Sequence, residues 1–299
     1  MFRRCPRQWF YKTVFAESRS RDQKRQEAAL LGKLQTVSAW RGQIVDSVLS
    51  DFVVPELKAG RQPTLRATIT RARTLFETQK AFGVAHKIRA AGFQKSQAGS
   101  EFAAFINVEY GEPIQAADFD QAWTDIENAL RILWKNIELR AIVRDGEHLI
   151  AQRMLLFDHF GGKVRALPDL IVFFKQRPPM IVDWKVHSFG TRDSGDQLTT
   201  YAIALSRATP HVDFPTSTRR WKAEEIELIE AQLLVDSFRK HPLTPEAISQ
   251  AEERIAEGIQ AMQLACEDLD LSSCSPKDFP TARNDQTCKS CCYRKICWN

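Results

Sequence analysis

Residues 164–186 read VRALPDLIVFFKQRPPMIVDWKV, and the fold and the chemistry both turn on them. Val164 to Phe174 is rich in β-branched and aromatic residues, Pro178-Pro179 interrupts it, and Met180 to Val186 resumes the pattern. Leu149 to His159, followed by the Gly161-Gly162 turn, supplies a preceding run, so three successive strands of one sheet are expected. Side chains alternate across a strand, which puts Asp183 and Lys185 on one face and Trp184 on the other. Adjacent strands lie about 4.8 Å apart, so Pro168-Asp169, read as lying within the middle strand, reaches the same spot in the right register. Two carboxylates and an ammonium then converge. Mg2+ or Mn2+ favours such hard oxygen donors, with waters and substrate phosphate completing the shell. The ion lowers the pKa of water and neutralises charge developing on phosphate, while Lys185 orients that water or steadies the transition state.

A D-x-K triplet alone arises often by chance, and an Asp at a strand end is commonly a turn residue. The surroundings add weight. Gln197 and Tyr201 stand at i and i+4 on one face of a helix read over Gln197–Ser206, where they can contact the phosphate chain or brace Lys185. Elsewhere the periodicity predicts helix over residues 21–57, ended by Pro55, and a basic helix from Thr64 to Lys95. It also predicts a helix from Phe119 to Val143 with Trp123, Ile126, Leu130, Leu133, Trp134 and Ile137 on one side, closed by Asp145-Gly146. Ile226 to Phe238 contains a further strand, Thr244 to Asp270 reads as a long helix, and the tail is loop-like.

Pro168-Asp169, Asp183-Trp184-Lys185 and Gln197-x3-Tyr201 together resemble motifs II, III and the following helical motif of the RecB-type branch of PD-(D/E)xK nucleases. The resemblance implies an α/β, restriction-endonuclease-like core, with a central mixed sheet flanked by helices and a helical insertion. It divides the chain into 1–57, the N-terminal part of the nuclease domain; 58–145, a partly basic helical insertion; and 146–299, the nuclease core with its C-terminal cysteines. The family's first motif is a Gly followed four residues later by a metal-binding His. Here the matching stretch is Gly42-Gln43-Ile44-Val45-Asp46, so an Asp replaces the His. A carboxylate is a competent ligand for a hard cation, which makes Asp46 the third metal ligand with Asp169 and Asp183. The alternative alignment leaves Asp46 on a helix surface.

Four of the seven cysteines crowd into the last dozen residues, a pattern better suited to metal than to disulfides in a reducing compartment. Cys288-x2-Cys291-x5-Cys297 offers three thiolates, and Cys5, followed by Pro6, is the candidate fourth. This set resembles the split iron-sulfur ligands of the CRISPR-adaptation exonuclease family and of the AddB nuclease subunit, and implies a structural [4Fe-4S] cluster. Tetrahedral zinc on the same four thiolates is the alternative. Cys292 replaces Cys291 if the loop shifts, and Cys266 and Cys274 are given no role.

The formal charge is only +5, but it is segregated. A basic N-terminal stretch spans Arg3 to Arg25. In 58–95 a second run, including Arg66, Arg71, Arg73, Lys80, Lys87, Arg89 and Lys95, is opposed only by Glu77, and Glu101 to Glu127 carries no Lys or Arg. Either these are solvated helix faces or they bind a polyanion. Trp9, Phe10 and Tyr11 either stack bases or pack around the cluster. His159, His187 and His211 lack partners at ligand spacing. No P-loop or G-x-G-x-x-G occurs, so a helicase or a defence or repair complex would be a partner. With no bilayer-length apolar run and no signal-peptide pattern, a cytoplasmic protein is expected. The resemblance implies an exonuclease on single-stranded or frayed DNA, threaded through a channel beneath the helical part. The rival classes are a catalytically inactive DNA-binding or assembly subunit of the same fold, and a zinc-stapled nucleic-acid-binding protein.

Overall fold

In the computed structural model, which describes residues 1–88, 98–186, 194–215, 220–266 and 271–298, the β region holds more strands than its composition suggests. They are β1 (His148–Ala151), β2 (Leu155–His159), β3 (Gly162–Ala166), β4 (Leu170–Phe173), β5 (Met180–Lys185), β6 (Glu227–Gln232) and β7 (Ser237–Lys240). The run Leu149–His159 is two strands, parted at Gln152, whose φ is +50°. Val164–Phe174 is also two, parted at Leu167-Pro168-Asp169, where proline cannot donate to a ladder. Asp169 therefore precedes β4 instead of lying within a strand. The stretch 226–238 likewise turns at Asp236 to give both β6 and β7.

β1-β4-β5-β6-β7 form a mixed sheet in that order, with β5 parallel to β6 and every other pair antiparallel. β2 and β3 leave it to form their own hairpin. The sequences LIVF of β4 and MIVDW within β5 are buried throughout, as strands covered on both faces must be. On one face Ile171, Phe173, Ile181 and Leu228 pack with Leu198 and Ala202 of the helix Ser194–Arg207. Each such buried aliphatic contributes about 1.5–3 kcal/mol. On the other face Leu170 and Trp184 line a cavity of about 330 Å³ with Leu49, Val53, Leu139 and Val143. The expected mixed sheet flanked by helices is thus present.

The helices are more broken than their periodicity. Residues 21–57 give Gln23–Leu31, Val37–Val48, a π-helical turn at Leu49–Val53 and Val54–Lys58. Pro55 does not end the helix there; it occupies the first turn of the last segment, where its missing N–H costs nothing. The stretch 119–143 divides into Ala116–Lys135 and Ile137–Asp145 because the Asn136 side chain accepts from Leu139 N at 2.7 Å and starts a new helix. Ile137, expected on the apolar side, is 81% exposed. The basic helix is Leu65–Ala85, with residues 89–97 outside the described residues, and the helix opened at Thr244 is Pro245–Leu264. The tail is not all loop: it carries short helices at Asp285–Lys289 and Arg294–Trp298.

The chain forms two units. Residues 1–40, 75–119 and 257–299 make one, and 41–74 with 120–256 make the other, which contains the sheet. Within the first, Tyr11, Leu31, Ile106 and Tyr293 share a core, and Trp9, Phe10, Cys266, Cys274 and Phe279 share another.

Candidate functional site

The acidic residues meet at the end of β5 within the sheet unit. Asp183 is 1% exposed, and neither of its carboxylate oxygens has a hydrogen-bond partner of normal geometry among the described residues. Its Oδ2 lies 2.6 Å from Lys185 Nζ, an ion pair by distance. Lys185 Nζ also donates to Gln197 Oε1 at 3.0 Å, and Gln197 Nε2 donates in turn to Tyr201 Oη. The strand supplies the lysine and the following helix supplies its brace.

Asp169 is fixed by neighbours on both sides. Its Oδ2 accepts the Trp184 backbone N–H at 3.0 Å, and its Oδ1 accepts Gln152 Nε2 at 3.0 Å. Asp46, on the helix Val37–Val48, accepts the Trp184 indole N–H at 2.7 Å. Trp184 therefore ties two acids, one through its backbone and one through its ring. Arg41 Nη2 donates to the Val186 carbonyl at 2.5 Å, and Nη1 pairs with Asp125, which anchors the exit of β5.

Burial sets the electrostatics. The Asp46 carboxyl is pushed up to about 6 by desolvation, with the indole bond opposing and Asp183 repulsion adding. Asp169 is held well above the usual carboxylate range by burial and by the charges of Asp183 and Asp46. Burial also raises Asp183, against the pull of Lys185. The three acids thus repel one another through low dielectric, the condition that a bound cation relieves. Among the described residues no three His, Cys, Asp or Glu side chains are gathered tightly enough to enclose an ion as they stand. Asp183 Oδ1, shielded from water and without a hydrogen-bond partner among the described residues, and Oδ2, which has the Lys185 ammonium beside it, nonetheless fit a hard cation.

Sequence reasoning missed three neighbours. Gln152 positions Asp169, and Trp184 is a donor as well as a packing residue. Glu230 on β6 stands in register with Asp183, fully buried, and is bonded by Gln232 and by His241 Nε2 at 2.8 Å. Burial acts to raise the Glu230 carboxyl, but these bonds outweigh it and hold it below its usual value. The available signal was an acid inside the apolar stretch Leu228-Ile229-Glu230-Ala231.

In the other unit Cys5, Cys288, Cys291 and Cys297 line one small cavity with Gln8, Tyr11 and Tyr293. Cys5 caps the helix Pro6–Phe10, its Sγ accepting from Gln8 N at 3.4 Å, and Cys291 Sγ accepts from Tyr293 N at 3.4 Å. An Arg7 guanidinium nitrogen lies 4.0 Å from Cys297 Sγ. Burial raises the Cys288 and Cys297 thiols, and the neighbouring Cys5 and Cys291 sulfurs push both further. Four soft donors sharing one cavity, with N–H groups turned toward three of them, suit a thiolate-bound metal or cluster. Cys292 does not line the cavity.

Trp9, Phe10 and Tyr11 are buried, Phe10 stacking on Phe279 at 4.3 Å and Tyr11 on Tyr293 at 5.3 Å, so they are core and not a base-stacking surface. Of the basic candidates, Arg66, Arg71 and Arg73 are exposed on the helix Leu65–Ala85, with Arg73 over the Trp123 ring at 4.5 Å. Lys80 on the same helix lies over Phe119 at 4.9 Å, and Lys87 is exposed. Arg89, Lys95 and His187 lie outside the described residues.

The profile of the PD-(D/E)XK nuclease superfamily matches residues 1–298, and the chain belongs to that superfamily. It is similar to the crystal structure of SSO0001 at 12% identity and a TM-score of 0.32, covering 76% of this chain and 96% of that one. A candidate exonuclease from Eubacterium rectale is 14% identical with a TM-score of 0.33, covering 84% and 87%. No curated protein matches the chain.

Proposed function

We propose that the chain is a divalent-metal-dependent DNA nuclease, an exonuclease acting on single-stranded or frayed DNA, with a [4Fe-4S] cluster that is structural. The observation that carries the catalytic reading is the buried Asp183, whose Oδ1 lacks a hydrogen-bond partner among the described residues and whose Oδ2 pairs with Lys185, its charge coupled to that of Asp169. Asp46, Asp169 and Asp183 would hold Mg2+ or Mn2+, which supplies Lewis-acid activation of water and neutralisation of phosphate charge. Lys185, clamped between Asp183 and Gln197, presents its ammonium to the attacked phosphate and orients the attacking water. Tyr201 keeps Gln197 turned toward Lys185. Arg66, Arg71, Arg73, Lys80, Lys87 and Arg89 would contact the DNA backbone, and unwinding would fall to a partner such as a helicase.

With Mn2+ and labelled linear single-stranded DNA, the wild-type chain should degrade substrate, and Asp183→Ala and Lys185→Ala should each lose at least about 100-fold in rate. Equal degradation by all three identifies a contaminant and ends the reading. Survival of circular DNA would mark an exonuclease. An inactive wild type that still binds DNA would favour the non-catalytic subunit, the reading that the Asp at the first-motif His position supports.

For the cysteines, cluster bonds would close a loop of almost the whole chain and offset its entropy. Protein purified without oxygen should be brown, with iron and acid-labile sulfide in equal amounts, and Cys291→Ser should lose both. A colourless preparation carrying one zinc would replace the cluster with the alternative metal.

A further inference from the structure

We propose that the outer face of the β2–β3 hairpin guides single-stranded nucleic acid to the acidic site, its bases resting on Phe160 and on the apolar foot of the hairpin and its phosphates on Lys163 and Arg165. The proposal rests on the nuclease reading above and deepens it.

The hairpin has two unlike faces. Inward, Leu155, Phe157 and Ala166 are 0%, 5% and 3% exposed and pack in the core of the sheet unit, so the hairpin is firmly seated. Outward, Leu156 pairs with Arg165 and Asp158 with Lys163, and Met154 and Leu167 flank the base of the hairpin, each one residue beyond its last pair. Leu156, Met154 and Leu167 are 43%, 40% and 39% exposed, and Phe160 at the tip is 66% exposed. Large apolar side chains left in water along one face mark a contact surface.

Continuity with the acidic site selects the occupant. The hairpin springs from Gln152 and Asp169, which are joined by two hydrogen bonds, Gln152 N to Asp169 O and Gln152 Nε2 to Asp169 Oδ1, both 3.0 Å. The apolar strip therefore starts two residues from Asp169. Five-residue strands carry the tip roughly 17 Å outward, the length of about five stacked nucleotides.

Charge agrees. Nearby Arg153 and Arg207 are neutralised by Asp213 and Glu252. Lys163 and Arg165 on the outer face make no ion pair among the described residues, and Asp158 is the one acid in the paired outer positions. Phe160 is itself informative. It holds φ +49° beside Gly161 at +75°, a left-handed conformation that a bulky residue adopts only against strain. An exposed aromatic ring there is suited to stacking on a base.

The test uses Asp183→Asn protein, which should bind without cleaving, and an oligonucleotide carrying 2-aminopurine. Phe160→Ala and Phe160→Gly should each weaken binding about 5- to 100-fold and abolish the quenching of the fluorescent base, with the melting temperature no lower. Lys163→Gln combined with Arg165→Gln should flatten the slope of log affinity against log salt by about 1.4. In the cleavage-competent chain, Phe160→Ala should raise KM by a similar factor. Unchanged affinity, slope and KM in a chain that still degrades DNA overturns the proposal, leaves the nuclease reading intact and gives the face to a protein ligand. A wild-type chain that neither binds nor cleaves DNA overturns both.

Discussion

Trp184 sits between the two residues that define the motif and serves the acids on either side of it. Its backbone N–H holds Asp169 and its indole holds Asp46, so the geometry of two of the three proposed ligands passes through one residue. Trp184→Phe keeps the backbone bond and much of the packing but frees Asp46. Groups that orient metal ligands are typically worth about 10–100-fold in affinity, and the half-saturating Mn2+ concentration should rise by that factor. An unchanged titration would remove Asp46 from the site. The pH dependence follows from the same residue. With its carboxyl at about 6 instead of 3.8, folded Asp46 binds its proton more tightly than the unfolded chain does. That stabilisation is complete below about 3.8 and is lost as pH rises through about 6. Relative to Asp46→Asn, metal-free protein should therefore melt progressively lower across this window, and Mn2+ should raise the melting temperature more at about pH 7 than at about pH 5. Parallel curves for the two chains would contradict the burial assigned to Asp46. Asp183 and Lys185 were legible in the sequence because strand alternation is local. Gln152 and Glu230 were not, because their roles depend on which distant strands become neighbours.

At the level of elements, hydrophobic period identified most helices and strands but not their breaks. Asn136 interrupts an apolar pattern that runs on smoothly, and only its capping bond to Leu139 reveals the break. The β region failed similarly: Leu149–His159 reads as one strand because the turn at Gln152 uses a residue that sequence rules do not associate with positive φ. Gly32 shows a packing demand of the same hidden kind. A Cβ there would lie 2.6 Å from Tyr293 Oη, although the Gly32 backbone is ordinary helix. Gly32→Ala should lower stability by about 1–3 kcal/mol in thermal or denaturant unfolding. The Tyr293 hydroxyl is buried without a hydrogen-bond partner among the described residues, so Tyr293→Phe should be neutral or stabilising and should recover much of the loss in the double variant. If the two substitutions simply add, the clash is not the cause.

For the whole molecule, the class of fold was readable and the way the chain is apportioned was not. The motifs 168–201 announced a nuclease-type sheet, and the cysteines at 5 and 288–297 come together at one small cavity. Nothing in composition or period indicated that the sheet unit would be assembled from 41–74 and 120–256, or the cysteine unit from three stretches. Such partitions are set by long-range contacts that local patterns do not encode. On a ribosome, the sheet unit has all its segments once residue 256 has emerged, while the cysteine unit still lacks its third stretch and most of its sulfur donors. A nascent chain can thus complete its sheet unit first. A chain cut short before residue 288 would carry the sheet with Asp46, Asp169 and Asp183 but only Cys5 of the four cysteines that line the small cavity.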